Sequence, residues 1–266
     1  MPAIKPALLK QEAVDLAASF DQPAIFVRQL HALLDQYTDH THRSGQSGEP
    51  VPLTGAYNMP PPVIRQVWVE LMHQVRIHPE CLLPLCDALW AEPNYDLQLL
   101  GARLLGQVST DPPEPLIDRV RYWVRMGLDK RLLDGLLVYG LDQLRIHKPA
   151  LVFSMISDWL CSSSVALQQA GLHALLTLSN YSVLENLPDV LKLFTPYLRI
   201  APSSLKPDIV AVLRVLVRTS PSEIAYLLRQ NLTAPDNPDT AWLIRHVLDE
   251  FPEDLQTGLR VAMKSI

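Results

Sequence analysis

Asp134 is the residue whose setting most needs a chemical explanation. It lies in the stretch Leu128 to Gln143, where Leu132, Leu133, Leu136 and Leu137 recur at the spacing of one helix face. A carboxylate one turn before Leu137 and Val138 needs a partner or water, because burying it bare is costly. Lys130, four residues earlier, or the neighbouring Arg131 can supply that partner as an ion pair. A second group is basic. Arg214 and Arg218 are one turn apart and Lys206 lies two turns earlier, so the three form one polar stripe on a helix. Cations spaced in this way track a phosphate backbone; they also make an ordinary solvated face. Arg145, His147, Lys148, Arg199 and Arg245 extend the basic bias of the second half, while Glu49, Glu70, Glu80, Asp87, Glu92 and Asp96 gather in the first. Trp242, just before Arg245-His246, is the aromatic best placed to stack on a planar ligand. Trp123, Tyr139, Trp159, Tyr181, Tyr197 and Tyr226 fall at apolar positions and read as packing.

Much chemistry is excluded. His40-Thr41-His42-Arg43 offers two imidazoles, and a zinc site needs three or four ligands, so no metal is expected. The chain has no phosphate-binding Gly-Lys-Ser/Thr loop, dinucleotide fingerprint, G-x-S-x-G elbow or H-E-x-x-H, and hence no cofactor is expected. A net charge of −5 argues against non-specific wrapping of nucleic acid and leaves only a local basic surface. Cys81, Cys86 and Cys161 form no C-x-x-C pair and read as reduced, packed thiols. The opening Met-Pro-Ala-Ile-Lys-Pro lacks a signal peptide's apolar core, and no apolar run reaches the roughly 20 residues of a membrane helix. A cytoplasmic location without membrane contact is the expectation.

The positioning elements are helices. Of 266 residues, 48% are hydrophobic, with 23 Pro but only 10 Gly. Leu-rich runs broken by prolines favour many short helices over strands joined by glycine turns. Helices are expected over 3–20, 23–36, 63–77, 79–90, 95–108 and 116–126, and as one piece over 128–143. Further helices follow over 149–160, 165–178, 187–198, 205–217, 221–228, 240–248 and 252–263. Residues 38–62, with five prolines and Ser44-Gly45-Gln46-Ser47-Gly48, read as a loop. Helical pairs recur about every 35 to 45 residues, the period of helical-repeat proteins. Such pairs bury their faces only by stacking. The expected fold is therefore an all-α, right-handed solenoid of HEAT-like (armadillo-like) pairs, monomeric and continuous over 63–266, with N-terminal helices over 1–37.

Several segments resemble the DNA alkylation repair glycosylase family of the AlkD type. They include Ala56-Tyr57-Asn58-Met59-Pro60-Pro61-Pro62-Val63-Ile64-Arg65, and Cys86-Asp87-Ala88-Leu89-Trp90 followed by Leu97-Gln98-Leu99-Leu100-Gly101-Ala102-Arg103-Leu104-Leu105-Gly106. Trp159-Leu160 with Leu167-Gln168-Gln169-Ala170, and Val217-Arg218-Thr219-Ser220-Pro221, continue the likeness, which spans roughly residues 50 to 250. The resemblance implies a HEAT-like fold and a cleft with an Asp four residues after a Trp, an Arg in a later repeat and a further aromatic. Aligned without gaps, the Asp falls on Asp134, the Trp on Lys130, the Arg on Gln169 and the second aromatic on Ala211. Cleaving the bond to a cationic alkylated base builds positive charge on the sugar, which a carboxylate stabilises. Aromatic faces would hold the lesion, and Arg would grip phosphate in a way Gln does not. Three readings follow. One is a relative that holds double-stranded DNA through Lys130, Arg131, Lys148, Gln169, Lys206, Arg214, Arg218, Trp242 and Arg245, with excision lost or altered. Another is a scaffold for a protein partner, and the third is an active glycosylase using Asp134.

Overall fold

The computed structural model describes residues 5–38, 55–57, 60–124, 128–178 and 186–264. Among them the regular structure is helical, apart from one bridge between Gly55 and Asn94. Most of the segment expected as a loop, with His40 and His42, lies outside the described residues, as does Tyr181. The chain forms two compact units. The first runs to Trp123 and resumes over Leu128–His147; the second holds Val124 and everything from Lys148 onward.

The first unit contains α1 (Pro6–Ala17), α2 (Pro23–Tyr37), α3 (Pro61–Ile77), α4 (Leu82–Ala91), α5 (Tyr95–Leu105), α6 (Glu114–Val124, apart from its last residue), α7 (Lys130–Gly135) and α8 (Asp142–His147). The second contains α9 (Pro149–Leu160), α10 (Val165–Thr177), α11 (Leu187–Arg199), α12 (Lys206–Thr219), α13 (Pro221–Leu232), α14 (Thr240–Val247) and α15 (Glu253–Lys264). Prolines start α1, α2, α3, α9 and α13, where a missing N–H costs nothing and φ is already helical. Asn94 starts α5 by accepting the N–H groups of Asp96 and Leu97 at 3.0 and 3.3 Å.

Within each unit a helix packs on its sequence neighbour and on the helix two further along: α1 with α3, α2 with α4, α5 with α7, α10 with α12, α12 with α14 and α13 with α15. Side-chain bonds between such helices span nearly constant sequence separations. Arg119 grips Asp87 with a fork of bonds 32 residues apart, and Arg199 reaches Asn231 across the same interval. The Tyr197 hydroxyl donates to the Leu160 carbonyl 37 residues away. This is the contact pattern that stacked helical pairs produce, because equivalent helices of successive pairs lie side by side. Apolar side chains fill the seams, with Leu85, Leu89, Leu97 and Leu104 fully buried in the first unit and Leu172, Phe194, Leu213 and Leu228 in the second. Trp123, Trp159 and Tyr197 are core residues, as their spacing implied, whereas Tyr139 and Tyr226, expected to pack in the same way, are exposed; Trp123 stacks on Trp90 at 4.0 Å.

Two expectations need correction. The stretch 128–143 is not one helix: α7 ends at Gly135, a π-helical turn occupies Leu136–Gly140, and α8 follows. A close approach explains the wide turn. A Cβ on Gly106, at the end of α5, would stand 1.9 Å from the Tyr139 carbonyl oxygen, so the bare glycine admits the turn against α5. The cysteines also differ from one another. Cys86 is buried, which pushes its thiol pKa up, whereas Cys161 is exposed just beyond α9.

Candidate functional site

In the first unit Asp129 starts α7 by accepting the Arg131 N–H at 2.9 Å. That cap leaves Lys130 exposed in the first turn and Asp134 half-buried one turn later. The Arg131 guanidinium lies 5.4 Å above the Tyr95 ring and that of Arg103 lies 4.5 Å above the Tyr139 ring. Tyr95 and Arg103 advance along α5 as Arg131 and Tyr139 advance past it, so these segments run parallel. Asp134 lies in sequence between Arg131 and Tyr139, close before the π-helical turn. Such turns are frequent at functional sites. Arg145 steadies this one by donating Nη1–H to the Val138 carbonyl at 2.6 Å.

In the second unit Lys148 stands at the N-cap of α9. Gln169 on α10 donates through Nε2 to Asp208 Oδ2 of α12 at 3.3 Å. The other oxygen of Asp208 is 3.3 Å from Nε2 of His173, a residue only 1% exposed. Gln169 is thus tied into a buried polar cluster.

The basic stripe lies along the seam between α12 and α14. Lys206 Nζ donates to Asp239 Oδ1 at 2.7 Å and stands 4.7 Å from the centre of the Trp242 ring. His246 packs on the same ring at 3.8 Å, its Nδ1–H donating to the Trp242 carbonyl at 2.9 Å. Arg218 donates through Nε and Nη2 to the two oxygens of Glu250, at 3.0 and 3.2 Å. Arg214 stands 3.7 Å from the same carboxylate and donates to the His246 carbonyl at 3.4 Å. The bond from Lys206, then one from the Ala201 N–H, lowers the Asp239 pKa, and the bond from Arg218 lowers that of Glu250. Both acids remain carboxylates at neutral pH.

The side chains missing from the sequence reading are these two acids. Asp239 follows Lys206 by 33 residues and Glu250 follows Arg218 by 32. Writing the chain in rows of one helical pair would have set each acid beneath its cation. Arg245 is exposed on α14. Among the described residues no group of three His, Cys, Asp or Glu side chains is placed to hold a metal, and no helix is long and apolar enough to cross a membrane.

The profile of a family described as DNA alkylation repair enzyme matches residues 53–241, well over half the chain. The chain belongs to that family. The searches of curated proteins and of solved structures each found no match. The DNA alkylation repair enzyme match contains Asp134, Gln169, Lys206, Arg214 and Arg218, and leaves α1, α2, Trp242 and Arg245 outside.

Proposed function

We propose that this protein holds duplex DNA through the seam of α12 and α14, with base excision lost or altered relative to the repair chemistry of its family. One observation carries the reading. Lys206, Arg214 and Arg218 follow one another along α12 and reach Asp239 and Glu250 across that seam, and Trp242 offers a ring beside Lys206. A phosphate backbone would compete with those acids for the three cations, and displaced counterions would supply the affinity. Altered excision follows from Lys130. It puts an exposed positive charge at the position where the family resemblance implies an aromatic, and a cationic lesion is repelled there. Gln169, held by Asp208, offers an amide where the resemblance implies an arginine.

Fluorescence anisotropy with a short labelled duplex, between about 50 and 200 mM salt, tests this. Arg214→Ala with Arg218→Ala is expected to weaken binding and flatten the salt dependence by about two phosphate contacts. Glu250→Gln, which releases both arginines, is expected to strengthen binding. Unchanged affinity in both variants would remove the footprint. Release of free methylated base from alkylated duplex, abolished by Asp134→Asn, would instead support retained catalysis. The groove between α11 and α13, with Leu191, Leu227 and an exposed Tyr226, favours a protein partner as the second reading; a partner that occupies it would be displaced by Tyr226→Glu.

A further inference from the structure

The groove between α11 and α13 has a chemistry of its own. Leu191 and Lys192 of α11 and Glu223, Tyr226 and Leu227 of α13 line it. On each helix the lining residues recur every three or four positions, so one face of each helix forms a wall. Leu191 and Leu227 are half-buried. Tyr226 is 65% exposed, more than any other large apolar side chain among the described residues. An aromatic ring left in water beside an apolar groove marks an interaction face.

The charges of the lining say what fits there. Only Lys192 on the α11 wall and Glu223 on the α13 wall are charged. Both are exposed, and neither has an ion-pair partner among the described residues. The two charges cancel. A phosphate backbone, or a strongly acidic or basic peptide, is attracted by one wall and repelled by the other. The complement of this face carries an acid opposite Lys192, a base opposite Glu223 and an apolar ring over the leucines. The face itself meets that description when turned about a two-fold axis. An axis that exchanges the positions of Lys192 and Glu223 sets each lysine over the other copy's glutamate, and carries each Tyr226 toward the other copy's groove.

We infer that the face of α11 and α13 joins two copies of this chain, with Tyr226 of each seated against Leu191 and Leu227 of the other and Lys192 of each paired with Glu223 of the other. The partner in the protein-binding reading above, on which this rests, is then the chain itself. Two helix faces make a small interface, so the dimer is expected to form reversibly and to depend on concentration. The seam of α12 and α14 contributes none of these residues, so the inference is independent of the DNA reading.

Sedimentation equilibrium of the full chain over a range of concentrations tests this, and a monomer–dimer equilibrium is expected. Lys192→Glu or Glu223→Lys alone sets like charges together twice across the two-fold contact. Each is expected to raise the dissociation constant about tenfold. Both changes in one chain restore opposite charges and should bring it back to within about threefold of the wild type. Mixing the two single variants pairs opposite charges again, so the mixture should associate more tightly than either variant alone. Tyr226→Glu should leave a monomer. All three positions are exposed, so the melting temperature of the monomer and duplex binding should not change. A monomer at every concentration, or a dimer that none of these changes weakens, would overturn the inference. A different protein held at this face and released by Tyr226→Glu would overturn it too, while leaving the wider protein-binding reading in place.

Discussion

Asp239 shows how one side chain can decide what its neighbours do. It takes a bond from Lys206 Nζ at 2.7 Å and another from the Ala201 N–H at 2.9 Å, tying the turn before α12 to the start of α14. Those bonds lower its folded pKa below the unfolded value of about 3.9. A carboxyl depressed in this way contributes stability that is present above the unfolded value and lost as pH falls through the folded one. Asp239→Asn should therefore lower the urea midpoint at neutral pH, and its deficit relative to the wild type should shrink on acidification below about pH 4. A deficit that stays constant into acid would mean the carboxylate acts by shape and not by charge. The cations of this seam could be read from the sequence because they share one helix. Their acids come from the next helical pair, 33 and 32 residues further on, and show only when the chain is read one helical pair at a time and not one helix at a time. The same limit applies to Asp208. It sits on α12 beside Lys206, yet its partners Gln169 and His173 belong to α10.

Most helices were legible, since proline starts and leucine spacing both act within a few residues. The π-helical turn was not. Leu133, Leu137, Leu141 and Leu144 are buried at intervals that an unbroken α-helix would also give, so the apolar pattern has no phase change to betray it. Its cause lies in another element, at the glycine that ends α5. Gly106→Ala keeps an allowed backbone conformation and would restrict the unfolded chain, which by itself stabilises by about 0.4–1 kcal/mol. The added methyl, however, would meet the Tyr139 carbonyl oxygen at 1.9 Å, an atom with no rotamer to escape through. A net loss of about 3 kcal/mol is expected from urea unfolding, with the Arg103–Tyr139 contact disturbed as the turn moves. A variant as stable as the wild type would show that the turn is not wedged by this contact.

At the scale of the molecule, the family match begins after α2, which makes the N-terminal helices look dispensable. Packing argues otherwise. α1 lies on α3 and α2 on α4, and Phe20, Phe26 and Leu30 are at most 2% exposed. Stacked helical pairs need an end pair that closes the apolar face, and α1–α2 serve as that end for the first unit. Without them Val63, Val67 and Leu71, now nearly fully buried on α3, would face water. Exposing three such side chains alone costs on the order of 5 kcal/mol, which is comparable to the whole stability of a domain. Removing residues 1–38 is therefore expected to loosen the first unit, with loss of the near-ultraviolet signal of the stacked Trp90–Trp123 pair and binding of a hydrophobic dye. The seam of α12 and α14 belongs to the other unit. Duplex binding should thus survive the truncation. A truncated chain that kept its tryptophan signal and took up no dye would show that α3 and α4 close the stack unaided.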